Sequence, residues 1–243
     1  MLELSYRSAS FSHVGMVRQL NEDAFLELTD SRLWAVADGM GGHTAGEYVA
    51  SLIVDSLRRF SPRDSFAESI ATLQRILMEV NATVREETLL RRVKMMGSTV
   101  LVFATCQDIG VCLWAGDSRL YRLRDGALEA ISRDHSYVQA LQDRGLINEA
   151  EAREHPQAQL ITRAVGVEPA LDLAQINLHI CPDDTYLLCS DGLNKTVDEL
   201  EIGALLGHPE PEQIVRSLVH LGLTRGAPDN ITAIVIKVFK TCI

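Results

Sequence analysis

The sequence predicts an α+β fold, an antiparallel sheet system covered by helices. Three observations carry this. Short β-rich apolar runs recur, joined by tight turns. Two long helical patterns follow one another between two groups of such runs. Regular strand–helix–strand alternation, the mark of a parallel sheet, is not the dominant pattern.

The elements follow in chain order. "AFLEL" and "RLWAVAD" read as a hairpin around the turn "TDS". Thr44 to Glu47 fits a capping box and predicts a helix through about Arg59. "SPRDSF" restarts a longer helix, with Ile70, Leu73, Leu77 and Val80 at three-to-four spacing and continuation through Asn81 to Arg92. "STVLVFATC", "VCLWAG" and "RLYRLRDGAL" are strand-like, and Asp125-Gly126 is a hairpin signal. From His135 to about Pro169 the chain turns polar and helical, an excursion from the core. "TYLLCSDG" and "NITAIVIKVF" are apolar strands again, with a helix or two between Val197 and Leu221.

The bulk numbers fit one continuous domain over residues 1–243, with no repeat and no Pro/Ser-rich linker. A net charge of −10 and the absence of a basic run argue against nucleic acid as a partner. The first residues lack the apolar core of a secretory signal, and no run approaches the roughly 18 apolar residues of a membrane span. Five cysteines, mostly in strand-like runs, fit reduced core thiols and a cytoplasmic location.

Aspartates recur at strand ends: Asp38 in "WAVADGMGG", Asp117 in "LWAGDSR", Asp191 in "YLLCSDGL" and Asp229 in "APDNITAIVI". Glu22 and Asp23 open another strand. Aspartate suits strands poorly and is costly to bury unpaired. Each one alone reads equally well as a turn former. Together, as strand ends that can converge, they call for positive charge, and no matching set of lysines or histidines is evident. Oxygen ligands suit Mg²⁺ or Mn²⁺, and so many carboxylates suit two ions better than one. The glycines at 39, 41 and 42 let the backbone pass close to a metal or phosphate. They form neither a Walker loop, since Glu47-Tyr48 replaces Lys-Ser/Thr, nor a dinucleotide fingerprint, since Thr44 replaces the third glycine.

Seven pieces in order resemble the metal-dependent protein serine/threonine phosphatases of type 2C: "RQLNEDA", "VADGMGG", "GSTV", "AGDSRLY", "DHS", "LLCSDGL" and "DNIT". "HPQAQLITRAVG" further resembles the bacterial members. The resemblance implies a central β-sandwich flanked by pairs of helices, a four-layer αββα arrangement, with a mobile flap subdomain at about 137–166. It implies Asp38 as a bridging metal ligand, helped by the Gly39 carbonyl. It implies Asp191 and Asp229 on one ion, and Glu22 and Asp23 on the other, partly through water. Asp117 resembles the ligand that, with Asp191, completes a weaker third site. Arg18 matches the arginine that grips the substrate phosphate. The implied reaction is hydrolysis of phosphoserine or phosphothreonine in proteins by a metal-activated water, with two Mn²⁺ or Mg²⁺. The implied partners are phosphoproteins and a serine/threonine kinase, with no membrane, for a chain acting as a monomer.

One departure stands out. Some eukaryotic members carry a histidine after the Asp-Gly, proposed as general acid; this chain has Met40, with His43 three residues on as the weaker substitute. Three rival readings carry less of the pattern. These are a catalytically silent regulatory domain of the same fold, a module with structural metals, and a two-metal nuclease.

Overall fold

The computed structural model describes residues 3–41 and 45–241. Its sheets are antiparallel and lie face to face. One runs through β1 (Leu4–His13), β11 (Ile231–Lys240), β10 (Thr185–Cys189), β7 (Arg119–Arg124) and β8 (Ala127–Ala130), in that spatial order. The other runs through β2 (Asp23–Leu28), β3 (Leu33–Met40), β5 (Val100–Cys106), β6 (Ile109–Ala115) and β9 (Ala174–His179), with the short β4 (Gly97–Ser98) paired to β3.

The apolar runs explain the layering. Strands alternate their side chains, so a strand buried on both faces must be apolar throughout. In β3, Leu33, Ala35 and Ala37 face the helices α1 (Ala45–Arg58) and α2 (Phe66–Arg91), meeting Val49, Ile53, Leu73 and Leu77. Trp34 and Val36 face the opposite sheet, joining Tyr186, Leu188, Ile234 and Ile236. In β11, Ala233 and Val235 face α6 (Glu199–Leu206) and α7 (Pro211–Thr224) through Ile202, Leu206, Ile214 and Leu218. The result is helices, sheet, sheet, helices. Between the sheets Tyr6, Trp34, Phe103 and Tyr186 form a chain of ring contacts with centroids 5.6, 6.0 and 4.8 Å apart.

Local signals place the elements. Ser65 caps α2, its hydroxyl accepting from the Glu68 amide at 3.1 Å. The β7–β8 turn puts Asp125 at φ 52° and Gly126 at φ 78°, the left-handed pair of a tight hairpin. The capping box expected at Thr44, the flanking Gly42 and His43, and Cys242 lie outside the described residues. The polar excursion holds α3 (Tyr137–Asp143) and α4 (Glu149–Arg153); a bridge from Ser136 to Ile161 joins its two ends, and one from Ser98 to Val165 ties it to the body.

Two strands differ from the sequence expectation by being present at all. β1 and β9 are edge strands. Edge strands carry polar residues on the open side, and neither segment has a continuous apolar run. The turn after β10 also holds an unexpected single helical turn, α5 (Asp191–Asn194). Among the described residues no helix is long and apolar enough to cross a membrane.

Candidate active site

The strand ends carry six acidic residues to one end of the sandwich. Asp23 opens β2 and stands opposite Asp38 in the β2–β3 register. Asp117 follows β6, Asp191 opens α5 after β10, and Asp229 lies just before β11. The charges of Asp23, Asp191, Asp117 and Asp229 all act on Asp38. Its carboxyl is pushed well above the usual range, first by burial and then by these four neighbours. Burial and neighbouring carboxylates also push Asp23 and Asp117 up to about 7. Burial raises Glu22 as well, offset in part by the amides of Gly46 and Glu47 at the start of α1.

The motifs "GSTV", "LLCSDGL" and "DNIT" supply clamps for this cluster. In "GSTV", the Thr99 hydroxyl accepts from the Asp38 amide at 3.0 Å and meets the Ser118 hydroxyl at 2.9 Å, joining the Asp38 and Asp117 segments. In "LLCSDGL" and "DNIT", the Ser190 and Thr232 hydroxyls both donate to Asp23 Oδ2, at 2.8 and 2.7 Å. The Asn230 side chain donates to the Val14 and Leu20 carbonyls and accepts from the Glu22 amide. It thereby pins the loop that carries Arg18. In "DHS", Asp134 takes a two-pronged bond from Arg119, His135 stacks on Trp114, and Ser136 caps α3.

The glycine question has a packing answer. A Cβ on Gly39 would lie 2.3 Å from the Gly46 backbone, so the end of β3 and the start of α1 touch main chain to main chain. The Gly39 amide donates to the Glu22 carbonyl at 3.1 Å, which holds Glu22 beside Asp38.

Two cations face the acids. Arg18 is exposed and donates to Asp229 Oδ2 at 2.8 Å. Lys195, which sequence reading missed, donates to Asp191 Oδ2, and its Nζ lies 3.5 Å from Asp117 Oδ2. Burial works to discharge this ammonium, but Asp191, Asp117 and Asp38 outweigh it and hold its pKa up. The one trace in the sequence is its spacing: Lys195 follows Asp191 by four residues, one turn if the segment is helical.

Arg18 and Lys195 leave part of the acidic charge unmatched. Among the described residues, six buried side-chain polar atoms lack a hydrogen-bond partner, and three are carboxylate oxygens of this cluster: Glu22 Oε1, Asp23 Oδ1 and Asp191 Oδ1. No three acidic, histidine or cysteine side chains among the described residues are drawn together as a closed ligand shell. The donor set is all oxygen, which suits hard divalent cations. A cavity of about 500 Å³ between α1 and α2, lined by Leu52, Arg59, Phe60 and Ile76, includes none of these acids. Charge, not cavity depth, marks the site.

With this geometry in view, the likenesses to known proteins are informative. The family model "Protein phosphatase 2C" matches residues 12–218. The chain belongs to the protein phosphatase 2C family. It is 36% identical over 239 residues to the serine/threonine protein phosphatase PstP of Mycobacterium tuberculosis, covering 97% of this chain and 45% of PstP. The chain thus spans under half the length of that relative. The solved structure of PppA, a key regulatory component of T6SS in Pseudomonas aeruginosa, superposes with a TM-score of 0.92 at 56% identity, covering 98% of this chain and 99% of that one. The catalytic domain of PstP in complex with two manganese ions superposes at 0.88 with 33% identity, covering 98% of this chain and all of that one. The two-sheet, helix-flanked architecture of this phosphatase 2C chain is that of its relatives.

Proposed function

We propose that this phosphatase 2C chain hydrolyses phosphoserine and phosphothreonine esters in proteins, using two Mn²⁺ or Mg²⁺ ions held by the acidic cluster. The observation that carries the reading is the trio of uncommitted carboxylate oxygens on Glu22, Asp23 and Asp191 around a deeply perturbed Asp38. Asp38 and the Gly39 carbonyl would be among the groups that hold these ions. Asp191 and Asp229 would hold one ion, and Glu22 and Asp23 the other. When bound, such ions supply positive charge to the phosphoryl group and make water a nucleophile at neutral pH.

The chain's own groups do the rest. Ser190 and Thr232 fix one oxygen of Asp23 and leave the other free. Thr99 fixes the Asp38 main chain. Arg18 sits on an exposed, Asn230-pinned loop, where its planar fork can take two phosphoryl oxygens. Met40 has no proton to give, so the leaving serine oxygen takes its proton from another group or from water. The region at about 137–166, which reaches the cluster through Gln159, is assigned as the flap.

The test is release of phosphate from a phosphoserine or phosphothreonine peptide. Activity is expected with Mn²⁺, is lost on chelation and returns on adding Mn²⁺ back. A metal-replete chain that leaves the peptide intact ends the reading. Arg18→Ala is expected to lower kcat/KM by about 10–100-fold, mainly through KM, because one charged phosphate contact is lost. An unchanged KM in steady-state assays removes Arg18 from substrate binding.

The likeness to PppA supports a place for this chain in regulating T6SS, and we further propose that it reverses a serine/threonine kinase. Comparing phosphoproteomes of cells with and without the protein tests this. Free cysteines at 106, 112, 181 and 189 support a cytoplasmic location, and we take the chain to act as a monomer.

A further inference from the structure

We infer that Lys195 is a built-in cation that closes the Asp117–Asp191 pair to a third metal ion, so that this chain holds two divalent ions and not three. The inference rests on the two-metal reading above and adds the identity of the group that caps the count.

The geometry of the ammonium carries it. An ammonium has three N–H donors and no acceptor. Lys195 has three acceptors in place: Asp191 Oδ2, Asp117 Oδ2 at 3.5 Å and Gln159 Oε1 at 2.9 Å. All its donors point at oxygens, and two of those oxygens belong to acids that are themselves buried. Lys195 is held from two sides although its side chain is 33% exposed. It caps the single turn α5 that Asp191 opens, so its stem rises directly over Asp191. From the other side the Gln159 carbonyl oxygen holds it.

The two oxygens of Asp191 are divided. Oδ2 takes Lys195, while Oδ1 is buried and has no hydrogen-bond partner. Oδ1 remains for the metal pair, and Oδ2 is spent. A third ion between Asp117 and Asp191 would have to displace the ammonium or sit against it. Displacement would cost three hydrogen bonds. Coexistence would put a divalent ion beside a like charge in a poorly solvated place. A lysine is a compact point charge, which suits it to stand where an ion would.

The experiment counts bound Mn²⁺ from the EPR signal of the free ion as total Mn²⁺ is raised, with the whole chain. The wild-type chain is expected to saturate at two equivalents. Lys195→Met keeps the stem, removes the charge and is expected to take up a third. Lys195→Arg, which keeps the charge, and Gln159→Ala, which loosens the region around residue 159 without freeing a carboxylate, are expected to stay at two. Near-ultraviolet circular dichroism checks folding, and Lys195→Gln replaces Lys195→Met if that variant does not fold. Equal counts for wild type and the neutral variants overturn the inference and leave the two-metal reading standing. A wild-type count of three also overturns it. A wild-type count below two overturns the two-metal reading, and the inference with it.

Discussion

Asp38→Asn is expected to abolish phosphatase turnover, by at least about 10³-fold, while raising the melting temperature of the metal-free protein. The opposite signs come from one cause. Asp38 lies opposite Asp23 in the sheet and feels Asp191, Asp117 and Asp229 as well. A carboxylate there is useful only with cations to gather; without them it is a repelled charge in a place that disfavours charge. Asparagine keeps the shape and removes the charge. The Thr99 clamp on the residue-38 main chain is untouched, since it uses the amide and carbonyl of that residue. Each kcal/mol of relieved repulsion is worth about 2–4 °C for a chain of this size. Turnover measured with saturating Mn²⁺, beside a melting curve in chelator, checks both halves. Retained turnover removes Asp38 from the centre of the site. A lower melting temperature would make it a structural residue instead.

The acids could be read from the sequence because strand ends are recognisable. Asp38, Asp191 and Asp229 each border an apolar run too continuous to be anything but a doubly buried strand, and a sandwich gathers such ends. The groups that position them were harder to see. Ser190 and Thr232 are ordinary polar residues until β10 and β11 pair and turn both hydroxyls onto Asp23, far away in sequence. Lys195 escaped because its partner Asp191 opens a helix only one turn long, too short for any periodicity. Strands β1 and β9 escaped for the reason that makes them edges. With polar residues on their open side, "LSYRSASFSH" and "AQINLH" lack the apolar continuity that betrays β3, β5 and β11. Local chemistry announced the acids, while long-range pairing decided what would hold them.

The same charge crowding predicts an unusual response to pH. In chelator, the melting temperature is expected to fall as pH rises from about 4 to above 7. Asp23 and Asp117 are pushed up to about 7, against about 3.9 in an unfolded chain. Between those values the native state keeps protons that the unfolded chain has released. Stability therefore drops as pH rises, by up to about 1.4 kcal/mol per pH unit for each such group, and levels off once the native carboxyls have also ionised. The other limb has the opposite sign. Gln139 and Arg225 hold Asp143 and Glu201 below the usual range, so their contribution is present above about pH 4 and is lost as pH falls further. Metal-free stability should thus peak on the acid side. Divalent ions compete with protons for the same oxygens, so the gain from Mn²⁺ should grow with pH and flatten the decline. At 100 times its Kd a bound ion adds about 2.7 kcal/mol, or roughly 5–11 °C here. Melting curves from pH 4 to 8, with chelator and with Mn²⁺, read out both trends. A metal-free melting temperature that climbs from pH 5 to 8 would mean that these carboxyls ionise without penalty, and the buried acidic cluster would lose its reason to recruit cations.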